Sequence, residues 1–211
     1  MKVITHLPRL VLRDLPVAYG ATFMEAQLCG GEAVIVVGGG NSAGQAAVFL
    51  SQTAEHVHLL VRSRELEKSM SRYLIRRIEG NPALTLRTYT ELVALEGAGH
   101  LERVQWQDNR TGAIETRDIR HVFVMTGASP STRWLQGCMA LDAKGFIKTG
   151  PDLLQDDLEQ AHWPLARAPH LLETSLPGVF AIGDVRGGSI KRVAAAVGEG
   201  SITFVHQVLR E

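Results

Sequence analysis

Cysteine is scarce in this 211-residue chain: Cys29 and Cys138 are the only two, far apart and without a CxxC pair. That excludes a disulfide framework and a four-cysteine zinc site, and each thiol is expected to be a small buried side chain. Long apolar runs are missing as well, so no segment has the length of a membrane-spanning helix. The opening stretch MKVITHLPRLVLRDLP scatters charges and prolines where a signal peptide needs a continuous apolar centre. Surplus charge of either sign is absent: Lys plus Arg and Asp plus Glu both number 22, so no net field draws the chain to nucleic acid or anionic lipid. A cytoplasmic protein with neither a membrane nor a nucleic-acid partner is the expectation. Trp106, Trp134 and Trp163 are isolated, as packing residues are, and the eight histidines are scattered. His56 and His58 alternate along a strand, but no Cys or carboxylate pattern completes a metal set. GASPS is not a nucleophile elbow, because no G-x-S-x-G accompanies it, and the chain has no Tyr-x-x-x-Lys pair to serve a single-domain dehydrogenase.

With 45% hydrophobic residues, the chain can bury a substantial core. Ala33 to Val37 is a continuous apolar run, the pattern of a strand covered on both faces of a parallel sheet. From Asn41 to about Thr53, Ala43, Ala46, Ala47 and Leu50 recur at helical spacing. HVHLLVR, His56 to Arg62, reads as a second strand, which completes a βαβ unit. A second helix is expected over Arg64 to Gly80, because Leu66, Met70, Leu74 and Ile78 fall every fourth residue and Gly80, Asn81 and Pro82 stop it. Short strands follow at LTLRT, ELVALEG, LERVQWQD and AIETRDIRHVFVMTG, with a hairpin turn at Asn109 to Gly112. Arg72, Arg76 and Arg77 make a solvated helix face. Residues 145 to 175 read as surface connections, GVFAIGD as another apolar strand, and Lys191 to Leu209 as a helix that Gly198 and Gly200 interrupt. The class is α/β: a dinucleotide-binding core with an antiparallel meander.

Gly38, Gly40 and Ala43 stand as G-x-G-x-x-A between the first strand and the first helix. The first glycine allows the tight turn, the second lets a pyrophosphate approach the backbone, and the small third residue lets helix and strand pack closely. Gly39 lies between them. The helix N-terminus offers free amides and partial positive charge to phosphates, with Asn41 and Ser42 as additional donors. At the end of the second strand the chain places Arg62, Ser63 and Arg64. A carboxylate there selects NAD, whereas an arginine fork accommodates the 2′-phosphate of NADP, so NADPH is the expected nucleotide.

VVGGGNSA, LLVRSRE, HVFVMTGASPST and PGVFAIGDVRGGSIKRVAAAVGEGS occur in the order and spacing of thioredoxin reductase-like flavoproteins, within the pyridine nucleotide-disulfide oxidoreductases. The chain resembles most the branch that lacks the redox cysteine pair, in which an upstream cyclic-nucleotide-binding domain also occurs. The resemblance implies a Rossmann-like NAD(P)H-binding domain over residues 22–126. It implies the C-terminal part of a discontinuous FAD-binding domain over 127–211, and a linker over 1–21 from an FAD half that lies outside the chain. It places FAD near Gly127 and at the Gly183–Asp184 corner, and makes Lys191, Arg192 and Val193 the start of the helix facing the flavin. It further implies hydride transfer from NADPH to flavin and on to an unidentified electron acceptor, and allows a homodimer. Where family members carry a C-A-T-C dithiol, this chain has YGATFMEAQLC, so no catalytic side chain is assigned. The alternative is an N-terminally truncated module that binds NADPH without turnover.

Overall fold

The computed structural model describes residues 2–3, 17–67 and 69–208. Two compact units are formed, Val3–Gly127 and Ala128–Glu211 together with Met1–Lys2. After the two-residue strand β1 (Lys2–Val3), the first unit runs β2 (Val17–Ala18), α1 (Phe23–Leu28), β3 (Ala33–Val37), α2 (Asn41–Leu50), β4 (His56–Val61), α3 (Arg72–Glu79), β5 (Leu84–Thr88), β6 (Thr90–Glu96), β7 (Arg103–Asp108), β8 (Ile114–Arg117) and β9 (His121–Val124). Most of the segment expected as a linker lies outside the described residues; its described end includes β2, which pairs in parallel with β9.

Five strands form a sheet in the order β2-β9-β3-β4-β5, and every pairing in it is parallel. The unbroken apolar run of β3 reflects burial on both faces. Val34 and Val36 point into one core with Ala43, Ala47 and Leu50 of α2, while Ile35 points into a second core on the opposite face. β4 alternates in the same way, Val57, Leu59 and Val61 on the helix side and Leu60 on the other. That other face is covered by the antiparallel sheet β6-β7-β8, which contributes Leu92, Val104 and Trp106.

Two sequence expectations are corrected in this unit. AIETRDIRHVFVMTG is not one strand: β8 closes the meander and β9 enters the parallel sheet between β2 and β3. The helix expected from Arg64 begins only at Arg72, because Ser71 stays extended at ψ 145° and accepts a bond from the Leu74 amide as N-cap. Leu66 and Met70 are nevertheless buried, which is what their spacing registered. His56 Nε2 lies 2.8 Å from Thr85 Oγ1. His58 packs 5.3 Å from Trp106, and burial pushes its pKa down to about 4. Among the described residues no group of three or more His, Cys, Asp or Glu side chains converges on a metal position.

The second unit holds β10 (Ala128–Ser129), α4 (Gln155–Gln160) and α5 (Val193–Val208), with 3-10 turns at Arg133–Leu135, Gly150–Asp152 and Gly183–Val185. Its core is small: Leu135, Ile147 and Ala181 are buried against Met139, Leu141 and Val185. GVFAIGD is not a strand here; its one ladder contact is an isolated bridge between Glu173 and Phe180. Gly198 and Gly200 do not interrupt α5. Cys138 and Trp134 are exposed, against expectation: Trp134 lies on the outer side of the Arg133–Leu135 turn, whose Leu135 takes the place in the small core, and Cys138 lies in the connection after it. Among the described residues no helix is long and apolar enough to cross a membrane.

Candidate functional site

A cavity of about 480 Å³ opens at the C-terminal ends of β3 and β4, where the parallel sheet meets the first strand of the meander. Gly38, Gly39, Gly40, Arg62 and Ser63 line it, joined by Ser69, Glu91 and Gln107. Gly38 has φ +145°, and a Cβ there would lie 2.6 Å from the Met125 carbonyl oxygen, so only glycine makes this turn. Ala43 is fully buried beneath it, the small third residue of the motif.

Gly40 is different. It is the N-cap of α2 with φ −97°, and the nearest atom to a Cβ there would be the Ser69 carbonyl oxygen at 3.8 Å. No backbone constraint demands glycine at 40; the bare position instead leaves the entrance to the helix N-terminus open. The floor is fixed by Ser69, whose Oγ donates to the Gly39 carbonyl at 2.7 Å. Ser42 is exposed at the first turn of α2. Asn41 turns its Oδ1 to the Ser71 amide at 2.8 Å and ties the start of α2 to the start of α3, outside the cavity lining.

Arg62 projects from the end of β4 with 65% of its side chain exposed, and its Nε lies 3.9 Å from Glu91 Oε1. Ser63 donates to the Glu65 carbonyl at 3.2 Å, and Arg64 is exposed but does not line the cavity. Gly127 follows β9 with φ +93°. Ser69, Glu91 and Gln107 carry no motif in the sequence. They reach the site from an irregular segment and from the meander, and only the folded arrangement reveals them.

In the second unit Gly183 has φ +66°, and a Cβ there would approach Ala196 of α5 to 3.1 Å. The Gly183 amide donates to Glu199 at 2.6 Å, and Arg186 pairs with the same carboxylate. Arg186 and the Gly183 amide together outweigh burial and hold the Glu199 carboxyl below its ordinary range. Asp184 and Arg192 are exposed. Lys191 sends its Nζ back to the Asp184 carbonyl at 2.9 Å and over the Phe146 ring, so this corner is locked to the approach of α5, where Val193 begins the helix.

The sequence profile of the pyridine nucleotide-disulphide oxidoreductases matches residues 5–200. Thioredoxin reductase of Mycolicibacterium smegmatis is 31% identical over 167 residues, 79% of this chain and 47% of that protein. NADPH-dependent thioredoxin reductase 3 of Arabidopsis thaliana is 30% identical over 82% of this chain and 29% of its own length. Among solved structures, thioredoxin reductase of Lactococcus lactis superposes with a TM-score of 0.74 at 20% identity, covering 100% of this chain and 62% of that one, a likeness of fold. The chain thus spans about half the length, or less, of the curated relatives it matches.

Proposed function

Because the chain belongs to the pyridine nucleotide-disulphide oxidoreductase family, we propose that the cavity beside Gly38–Gly40 is an NADPH site and that the chain serves a flavin-dependent, thioredoxin reductase-like oxidoreductase. The observation that carries this reading is Gly40, a bare position with room for a side chain at the mouth of a helix N-terminus. There the amides of α2 would take the pyrophosphate, aided by the helix dipole. Arg62 and Ser63 would receive the 2′-phosphate, the guanidinium fork matching two phosphate oxygens.

On this reading residues 22–126 form the NADPH-binding domain, and 127–211 contribute the C-terminal part of an FAD-binding domain. The residues of the second corner fit a flavin: Gly183 keeps a left-handed turn that presents Asp184 as a short acceptor for a hydroxyl of the flavin chain. Lys191, Arg192 and the amides at Val193 would favour negative charge on the reduced ring. The chemistry such a pair of cofactors supplies is hydride transfer from the nicotinamide to the flavin, then electron passage to an acceptor. This chain's residues bind, orient and set the local charge. Neither cysteine supports a dithiol relay, since Cys29 is buried with its Sγ on the Ala26 carbonyl and Cys138 stands alone. Exposure of Asp184 and Val193 favours, as a second reading, nucleotide binding without turnover.

Titration of the purified chain with NADPH, alongside Gly40→Ala, tests the site. The variant should keep the parent's melting temperature, since its Cβ meets only ordinary contacts, and should bind NADPH at least about tenfold more weakly, the equivalent of one lost charge-assisted contact. Equal binding by parent and variant rejects the site. Bound flavin together with NADPH oxidation supports the oxidoreductase, whereas NADPH binding without flavin supports the second reading.

A further inference from the structure

Arg62, which would select NADPH, already faces a carboxylate within the same cavity. Glu91 of β6 lines that cavity and stands 3.9 Å from the Arg62 Nε through Oε1. Its other oxygen accepts from Asn109 Nδ2 at 3.0 Å, and the Asn109 amide in turn donates to the Tyr89 carbonyl at 2.7 Å. The Tyr89 amide donates to the Ser63 carbonyl, so the start of β6 is tied to the residue next to Arg62. The carboxylate is therefore held near the guanidinium from two sides, by the hairpin turn and by the junction of β5 and β6.

We infer that Glu91 is a specificity-determining residue of the cleft, a competitor for Arg62 that lowers the preference for NADPH over NADH. A 2′-phosphate reaching Arg62 must displace Glu91 from the guanidinium and settle beside an anion, which costs binding free energy. A ribose 2′-hydroxyl has no such conflict, because it can donate to the carboxylate, the contact by which acidic residues select NAD in dinucleotide folds. Discrimination thus comes from a repulsive element placed against one ligand as much as from attraction to the other. Both side chains are partly exposed, 65% for Arg62 and 39% for Glu91, so solvent screens the competition and the effect is moderate.

The inference rests on the cavity being a dinucleotide site, and the two fail differently. Dissociation constants for NADPH and NADH are measured on the full chain and on Glu91→Gln, which keeps an acceptor for Asn109. The variant should bind NADPH about three- to fivefold more tightly, the scale of a partly exposed ion pair, while NADH binds equally or more weakly. An unchanged ratio, or an equal gain for both, overturns the role of Glu91. In an Arg62→Gln background the gain from Glu91→Gln should fall below about twofold, because the competed group is gone. A gain as large as in the parent overturns the competition for Arg62. Glu91→Thr, which favours the strand, repeats the comparison should glutamine disturb the hairpin. If the parent binds neither dinucleotide, the cleft assignment falls, and the role of Glu91 with it.

Discussion

Reversing the charge at Arg62 exposes what that side chain contributes. Arg62→Glu should weaken NADPH by about 1–3 kcal/mol more than NADH, since only the former loses a charge-assisted contact. Competition between the two dinucleotides on the purified variant measures this, and equal losses for both would place the 2′-phosphate elsewhere. At this scale the sequence was informative wherever chemistry is local. Gly38 and Ala43 follow from the geometry of a strand turning into a helix, and Arg62 from its position at a strand end. Glu91 and Ser69 were not legible, because nothing in their neighbours says which cavity they will line. Cys138 illustrates the same limit: the usual burial of a free thiol does not hold where the surrounding unit has little core to offer.

Among the elements, the loop before GVFAIGD depends on one carboxylate. Glu173 is fully buried, forms a two-pronged pair with Arg167, and accepts from the His170 and Gly178 amides. Burial raises its pKa, but the Gly178 and His170 amides and Arg167 outweigh that and leave the carboxyl below its ordinary range. A depressed folded-state pKa contributes stability that is complete above the unfolded value of about 4.3 and is lost as pH falls through the folded value. Glu173→Ala should cost about 3 kcal/mol at neutral pH, because two amides and a guanidinium lose their acceptor. Thermal melts of parent and variant should converge as the solution is acidified below that point; parallel curves would assign the loop's stability to other contacts. Element by element, β3, α2, β4, β6 and β7 were legible because their periodicity is also their packing, whereas nothing in AIETRDIRHVFVMTG marks where β8 ends and β9 leaves for the parallel sheet. The first half of the expected second helix was not, since burying Leu66 and Met70 satisfies the same spacing without helical backbone. GVFAIGD read as a strand because it is apolar, but an apolar segment becomes a strand only beside a partner strand.

For the whole molecule, the contrast between the two units is one of covered and uncovered surface. In the first, both faces of the parallel sheet are packed. In the second, α5 carries Val193, Val197 and Phe204 along one side at 83%, 63% and 66% exposure, near Ile182 and Ile190, which are exposed too. Apolar surface of this kind binds hydrophobic dyes and self-associates. The purified chain should enhance the fluorescence of such a dye and sediment with concentration-dependent mass, and Val197→Ser with Phe204→Ser should reduce both. A monodisperse chain that leaves the dye dark would mean that this side of α5 is covered. The parallel sheet itself has a consequence for folding speed. β2 touches the sheet only through β9, which returns after the whole meander to take a central place beside β3. Contacts between distant parts of a chain form slowly. Val17 and Ala18, although they stand well ahead of the glycine corner, find their strand partners in Val122 and Phe123, so one margin of the sheet is closed by a contact that spans almost the whole unit.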